Sequence, residues 1–237
     1  MRPAFLVALA ALVGSLTVVA AAPAAPAPPS IRVTFSGTAS GRLLDVERWV
    51  LLSSNECYLR RLRDQKTALT WTVEFAGGRT LSALAPAKVN GTVSGTEVRD
   101  SCDDVAEELP PEAPADWLRS LNCSDPVRTL RAGRASWSDG VLRLEAPVVA
   151  VAKTAACTAL PRSEELNARV PLPVSRILAL KRGGRIELPV GTTRASTGTY
   201  RPRANCLHPA KPYDGYRSTD TCVDTLSWSG TVTITRL

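Results

Sequence analysis

From residue 31 onward the chain alternates between apolar and polar positions. Ile31, Val33 and Phe35 are apolar, and Arg32, Thr34 and Ser36 between them are polar. Leu69, Trp71, Val73 and Phe75 alternate in the same way with Thr70, Thr72 and Glu74. Near the end, Leu226, Trp228, Val232 and Ile234 alternate with Ser227, Ser229, Thr231, Thr233 and Thr235, and Gly230 takes one apolar slot. Successive side chains of a strand point to opposite faces, so this period predicts strands with one face on a core and one in water. Shorter runs at Trp49–Leu52, Val89–Val98, Arg134–Trp137, Val141–Leu144, Val148–Ala152, Arg176–Leu180 and Arg185–Val190 complete the expected strands.

Turn chemistry separates these runs. Asp139-Gly140, between Trp137 and Val141, predicts a two-residue hairpin, whose favoured turn needs positive φ at both central residues. Gly183-Gly184 predicts another between Leu180 and Ile186, and Gly77-Gly78 ends the strand through Trp71. Gly37, Gly91, Gly95 and Gly230 fall inside strand patterns, where glycine marks a bulge or a close backbone approach. Helical signals are confined to Pro114–Leu121 and Ser163–Leu166, too short to build a layer. Many strands with few helices predict an all-β fold: an antiparallel β-sandwich or barrel with only short helical turns. Two small β domains in tandem are the alternative, with a sub-boundary at 161–173, where Glu164, Glu165, Pro171 and Pro173 interrupt the strand pattern. Ser-Gly-Thr recurs at 36, 94 and 229, too unevenly spaced for a repeat array.

The N-terminal segment has a different composition. Arg2 precedes an apolar run from Ala4 to Val13 that continues to Ala22, ending in small residues. This is the layout of a secretory signal peptide over 1–22, with an uncleaved anchor as the alternative. Residues 23–30 form a Pro/Ala-rich spacer, and 31–237 are the expected secreted β domain. Cys57, Cys102, Cys123, Cys157, Cys206 and Cys222 are even in number, widely spaced and outside the leader. In an exported chain that predicts three disulfides, and spacing without close pairs predicts no metal. Fifteen pairings are open. The expected set is Cys102–Cys123 and Cys206–Cys222 as local loops, with Cys57–Cys157 as the long link.

Charge adds two uneven stretches to a formal net charge of +7. Asp100 to Asp116 holds seven acidic residues and no basic ones. Its spacing does not match a calcium-binding loop, so it reads as a solvated loop. Arg176 to Arg217 holds nine basic residues against Glu187 and Asp214. That stretch could meet an anionic envelope polymer or lipid headgroups, but alternation alone already places polar residues at Arg176, Arg185 and Arg194. Nucleic acid is not expected, because the basic residues are not interleaved with aromatics that could stack on bases.

Catalytic signatures are missing. His208 is the single histidine, and it has neither a G-x-S-x-G nor an H-E-x-x-H context. No cofactor is implied. Two carboxylates would suffice for a glycosidase-type hydrolase, and Glu74, Glu97, Glu145 and Glu187 lie on expected strands. The loop from Cys206 to Cys222 carries Tyr213, Asp214, Tyr216 and Arg217, a composition suited to recognition. These features predict a bacterial-type, secreted, non-catalytic binding or structural module of the cell exterior. Its partner would be an envelope polymer or an extracellular protein. The alternatives are a carboxylate-dependent hydrolase of an envelope polymer and an inhibitor-like protein presenting the Cys206–Cys222 loop to a protease.

Overall fold

A computed structural model describes residues 29–55, 57–102, 119–151, 165–199 and 215–237. In chain order the strands are β1 (Ile31–Leu51), β2 (Cys57–Gly77), β3 (Thr80–Ala83), β4 (Lys88–Ser101), β5 (Arg119–Pro126), β6 (Arg128–Arg131), β7 (Arg134–Ser138), β8 (Val141–Glu145), β9 (Val148–Ala150) and β10 (Asn167–Pro171). One short helix, α1 (Val174–Leu178), leads to β11 (Arg185–Thr199) and β12 (Tyr216–Arg236). Ten strands join in one antiparallel sheet: eight in the order β10-β8-β7-β3-β2-β1-β12-β11, and β4 and β5 branching from β2. β6 and β9 make a separate two-stranded ribbon. The all-β antiparallel expectation therefore holds.

β1, β2 and β12 run for 21 residues each, a contour of about 70 Å at the usual rise. β1 pairs with β12 along its whole length, Ile31 opposite Arg236 and Leu51 opposite Tyr216. The other edge of β2 is shared. β4 takes Leu59 to Thr72, and β3 takes Phe75 to Gly77. From that division two wings leave the central strands, β4-β5 on one side and β3-β7-β8-β10 on the other.

The core lies on the face bearing Ile31, Val33 and Phe35, called the inner face below. Phe35, Trp71 and Trp228 meet there edge-on or tilted, with ring centroids 5.7–6.1 Å apart. Trp137, Leu142, Leu144, Val170, Leu172 and Ile177 from the β7-β8-β10 wing and α1 join the same cluster. Residues on both sides of 161–173 thus share one core. The Trp137 indole donates to the Leu172 carbonyl at 2.8 Å, tying β7 to the segment after β10. Arg236 donates to the carbonyls of Leu178 and Leu180, at 2.7 Å each, so the end of β12 satisfies the last turn of α1.

Close approach, not bulging, explains the strand glycines. Gly37 stands opposite Gly230 in an unbroken ladder, and a Cβ on Gly37 would overlap the Trp71 ring. The Ser-Gly-Thr triplets at 36 and 229 are therefore cross-strand partners, Ser36 facing Thr231 and Thr38 facing Ser229. Asp139 and Gly140 have φ of 52° and 70°, as the predicted hairpin between β7 and β8 requires.

Some expectations fail. Arg176–Leu180 is not a strand: Val174–Leu178 is helical and buries Ile177. A five-residue apolar-polar run fits a helix turn as well as a strand, and the Pro171–Pro173 segment ends the ladder first. Gly183-Gly184 consequently joins α1 to β11 and is not a hairpin between strands. Arg119–Leu121 begins β5, not a helix, and the rest of Pro114–Leu121 lies outside the described residues. Ser163 and Glu164 also lie outside, as do the leader and most of the 23–30 spacer.

The disulfide pairing is corrected too. Cys57 is bonded to Cys102, with Cα atoms 5.6 Å apart. The β2–β4 ladder dictates this by setting Leu59 opposite Ser101 at its end. Cys123 instead faces Gly95, well along β4 from Cys102. The expected Cys57–Cys157 and Cys102–Cys123 bridges are therefore absent. Cys123 and Cys222 are each disulfide-bonded, while Cys157 and Cys206 lie outside the described residues.

Candidate functional site

The inner face changes character along its length. Beyond Leu43 the inward positions of β1 become Asp45 and Glu47, and those of β2 become Gln65, Arg63 and Arg61. The ladder aligns these charges in rows. Asp45, Arg63 and Glu97 stand side by side across β1, β2 and β4, and Glu47, Arg61 and Arg99 form the next row. Asp45 is 3% exposed, Glu47 2% and Arg63 2%. Arg63 binds Asp45 at 3.0 Å, Arg61 binds Glu47 at 2.5 Å, and Arg99 binds Glu97 at 2.9 Å. Glu47 also accepts hydrogen bonds from the Trp49 indole and the Ser218 hydroxyl. Burial pushes the Arg63 guanidinium below its ordinary value, and Asp45 opposes that shift.

The outer face inverts in step. Near the apolar core it carries Ser, Thr and charged groups. At the charged end it carries Leu44, Val46, Leu62, Val98 and Val223, all half-buried. Val46, Leu62 and Val98 form one cross-strand row, and Leu44 faces Val223. Alternation persists along the strands while its inside and outside exchange.

Between the two regimes the outer face holds an open trough of about 480 Å³. Strands far apart in sequence line it: Ser40 and Arg42 from β1, Lys66 from β2, Ser94 from β4, Thr193 from β11 and Ser227 from β12. Small side chains leave the space, and hydroxyls supply both donors and acceptors. Thr193 and Ser227 hydroxyls lie 3.1 Å apart. Arg42 grips Asp64 with two hydrogen bonds, at 2.9 and 2.7 Å, and that grip holds the Asp64 carboxyl below the usual carboxylate range. Among the described residues no aromatic side chain lines the trough.

The residues singled out in the sequence are dispersed. Tyr213 and Asp214 lie outside the described residues. Tyr216 and Arg217 are consecutive in β12 and so point to opposite faces. Arg217 is exposed, and its guanidinium donates to the Asn55 side chain. Of the four candidate glutamates none stands opposite another: Glu74 faces Thr34, Glu97 faces Arg63, Glu145 faces Arg134 and Asn167, and Glu187 faces Thr233. Asp100, at the start of the acidic stretch, is held by Arg60. Among the described residues no His, Cys, Asp and Glu side chains gather as a metal site, and no helix is long and apolar enough to cross a membrane.

No protein-family model matches the chain, and no curated protein matches it. Among solved structures it is similar to the pilotin–secretin complex AspS–GspD of ETEC, with 8% identity over 87% of this chain and 48% of that one, at a TM-score of 0.22. It is also similar to the V. cholerae type IV competence pilus secretin PilQ, with 12% identity over 90% of this chain and 62% of that one, at a TM-score of 0.19. A third is the Salmonella SPI-1 type III secretion injectisome secretin InvG in the open gate state, with 14% identity over 88% and 60%, at a TM-score of 0.18. The chain spans between 48% and 62% of the length of these chains. At such TM-scores the likenesses establish neither a shared fold nor a shared function.

Proposed function

We propose that the chain is an exported, non-catalytic binding module of the cell exterior, and that the trough on its outer face receives a hydroxyl-rich envelope polymer. Export is supported by the leader-like segment over 1–22 and by the disulfide between Cys57 and Cys102, a bond that persists in oxidising compartments. The observation that carries the binding reading is the trough itself. A concave surface lined by Ser40, Ser94, Thr193 and Ser227, with Lys66 beside them, offers hydroxyl and ammonium groups to an extended polar chain. The inner-face carboxylates Asp45 and Glu47 are committed to Arg63 and Arg61, which favours a structural role for them over hydrolysis.

Co-sedimentation of the secreted chain with insoluble peptidoglycan and with chitin tests this reading. The expected result is retention on at least one polymer. It should fall at least tenfold when the trough is filled by Ser40→Leu with Ser227→Leu, while the unfolding transition is kept. No retention on either polymer, or retention untouched by the filled trough, would overturn it.

A further inference from the structure

We infer that the outer face of β7, β8 and β10 is a binding site for a phosphate monoester group carried by a soluble ligand. This site is separate from the trough and does not depend on it. Arg134 and Ser136 of β7, Arg143 and Glu145 of β8, and Asn167 and Arg169 of β10 line a depression of about 290 Å³. The register fixes their arrangement. Arg143 stands between Ser136 on one neighbour and Arg169 on the other, and Arg134 is diagonal to it beside Glu145. Like charges directly opposite each other weaken a sheet. Here two arginines are so placed although Glu145 is within the same depression. Among the described residues Arg134, Arg169 and Glu145 form no ion pair, and the bond made by Arg143 is to the Ser138 hydroxyl at 2.9 Å.

The face behind these arginines is rigid. Trp137, Leu142, Leu144, Ala168 and Val170 alternate with them and are buried in the core. The strand backbone therefore holds the roots of the three guanidinium groups in place. Three arginines against one glutamate leave a charge of +2, which a phosphate monoester dianion balances and a single carboxylate does not. Guanidinium forks also match phosphate oxygens two at a time, and the Ser136 hydroxyl adds a short-range donor.

The test is calorimetric titration of the mature chain with inorganic phosphate, with acetate at matched ionic strength beside it. Phosphate should bind saturably and acetate at least tenfold more weakly. Arg143→Gln with Arg169→Gln should reduce phosphate affinity at least tenfold, with the unfolding midpoint kept or raised because a like-charge pair is gone. Arg143→Lys with Arg169→Lys keeps the charge but loses the forks, and should fall between the two. Equal binding of phosphate and acetate, or phosphate binding that the Gln variant leaves unchanged, would overturn the site. Binding to phosphatidic acid vesicles without any response to inorganic phosphate would assign the face to a lipid surface and overturn the soluble-ligand proposal.

Discussion

The two ends of the inner face are built from the same strands and solve burial in different ways. At one end Phe35, Trp71, Val232 and Ile234 exclude water by apolar contact. At the other, Asp45, Glu47 and Arg63 are nearly as deep, and they and Arg61 are paired with an opposite charge on the adjoining strand. Apolar contact is non-directional and tolerates small shifts. A buried ion pair requires its partner in place, because an unpaired buried charge is far more costly than the pair is favourable. The charged end should therefore lose more stability when one partner of a pair is removed than when both are replaced together.

The largest effect is expected at the apolar end. Phe35→Ala removes a fully buried ring beside two tryptophans and should reduce stability by about 4–5 kcal/mol in urea unfolding. Asp45→Ala leaves Arg63 buried without that partner and should cost about 3–4 kcal/mol by the same measurement. Replacing Cys57 and Cys102 together by serine removes the staple between the ends of β2 and β4. It should cost about 2–3 kcal/mol and loosen the charged end first, seen as faster amide exchange at Arg61 and Arg99 than at Val73. The smallest effect is at Asp64, outside both cores. Its carboxyl titrates lower folded than unfolded because Arg42 binds the charged form. Its contribution is therefore present at neutral pH and lost as pH falls below the usual carboxylate value of about 3.9. Wild type and Asp64→Asn should differ in Tm by a few degrees at most at pH 6, and the gap should narrow as the pH falls below about 3.9, as expected of an exposed pair.

The apolar end could be read from residues 31–36, 69–75 and 226–235, because period-two alternation with apolar residues inward is the ordinary rule. The charged end follows the same period with the opposite sense. Asp45 and Glu47 are buried there while Leu44 and Val46 are half-buried on the outer face, the reverse of the ordinary rule. The run from Arg60 to Asp64 has one apolar residue in five and so carries no strand signal, although β2 starts at Cys57. An even cysteine count was legible, but pairing depends on the β2–β4 register, which no local spacing encodes. The trough and the arginine face were invisible for the same reason. Ser40, Lys66, Ser94, Thr193 and Ser227 are far apart in sequence and only the ladder brings them together, while Arg134 and Arg143 flank the predicted Asp139-Gly140 hairpin but meet Arg169 only through the β8–β10 register.

That the charged end is a core in its own right is tested most directly by urea unfolding of wild type, Asp45→Leu, Arg63→Met and the double variant. The two singles should each lose about 3 kcal/mol, and the double should lose less than either, because it removes both charges at once. Singles within about 0.5 kcal/mol of wild type, or a double equal to their sum, would place these groups in water and contradict the closed ion-pair rows.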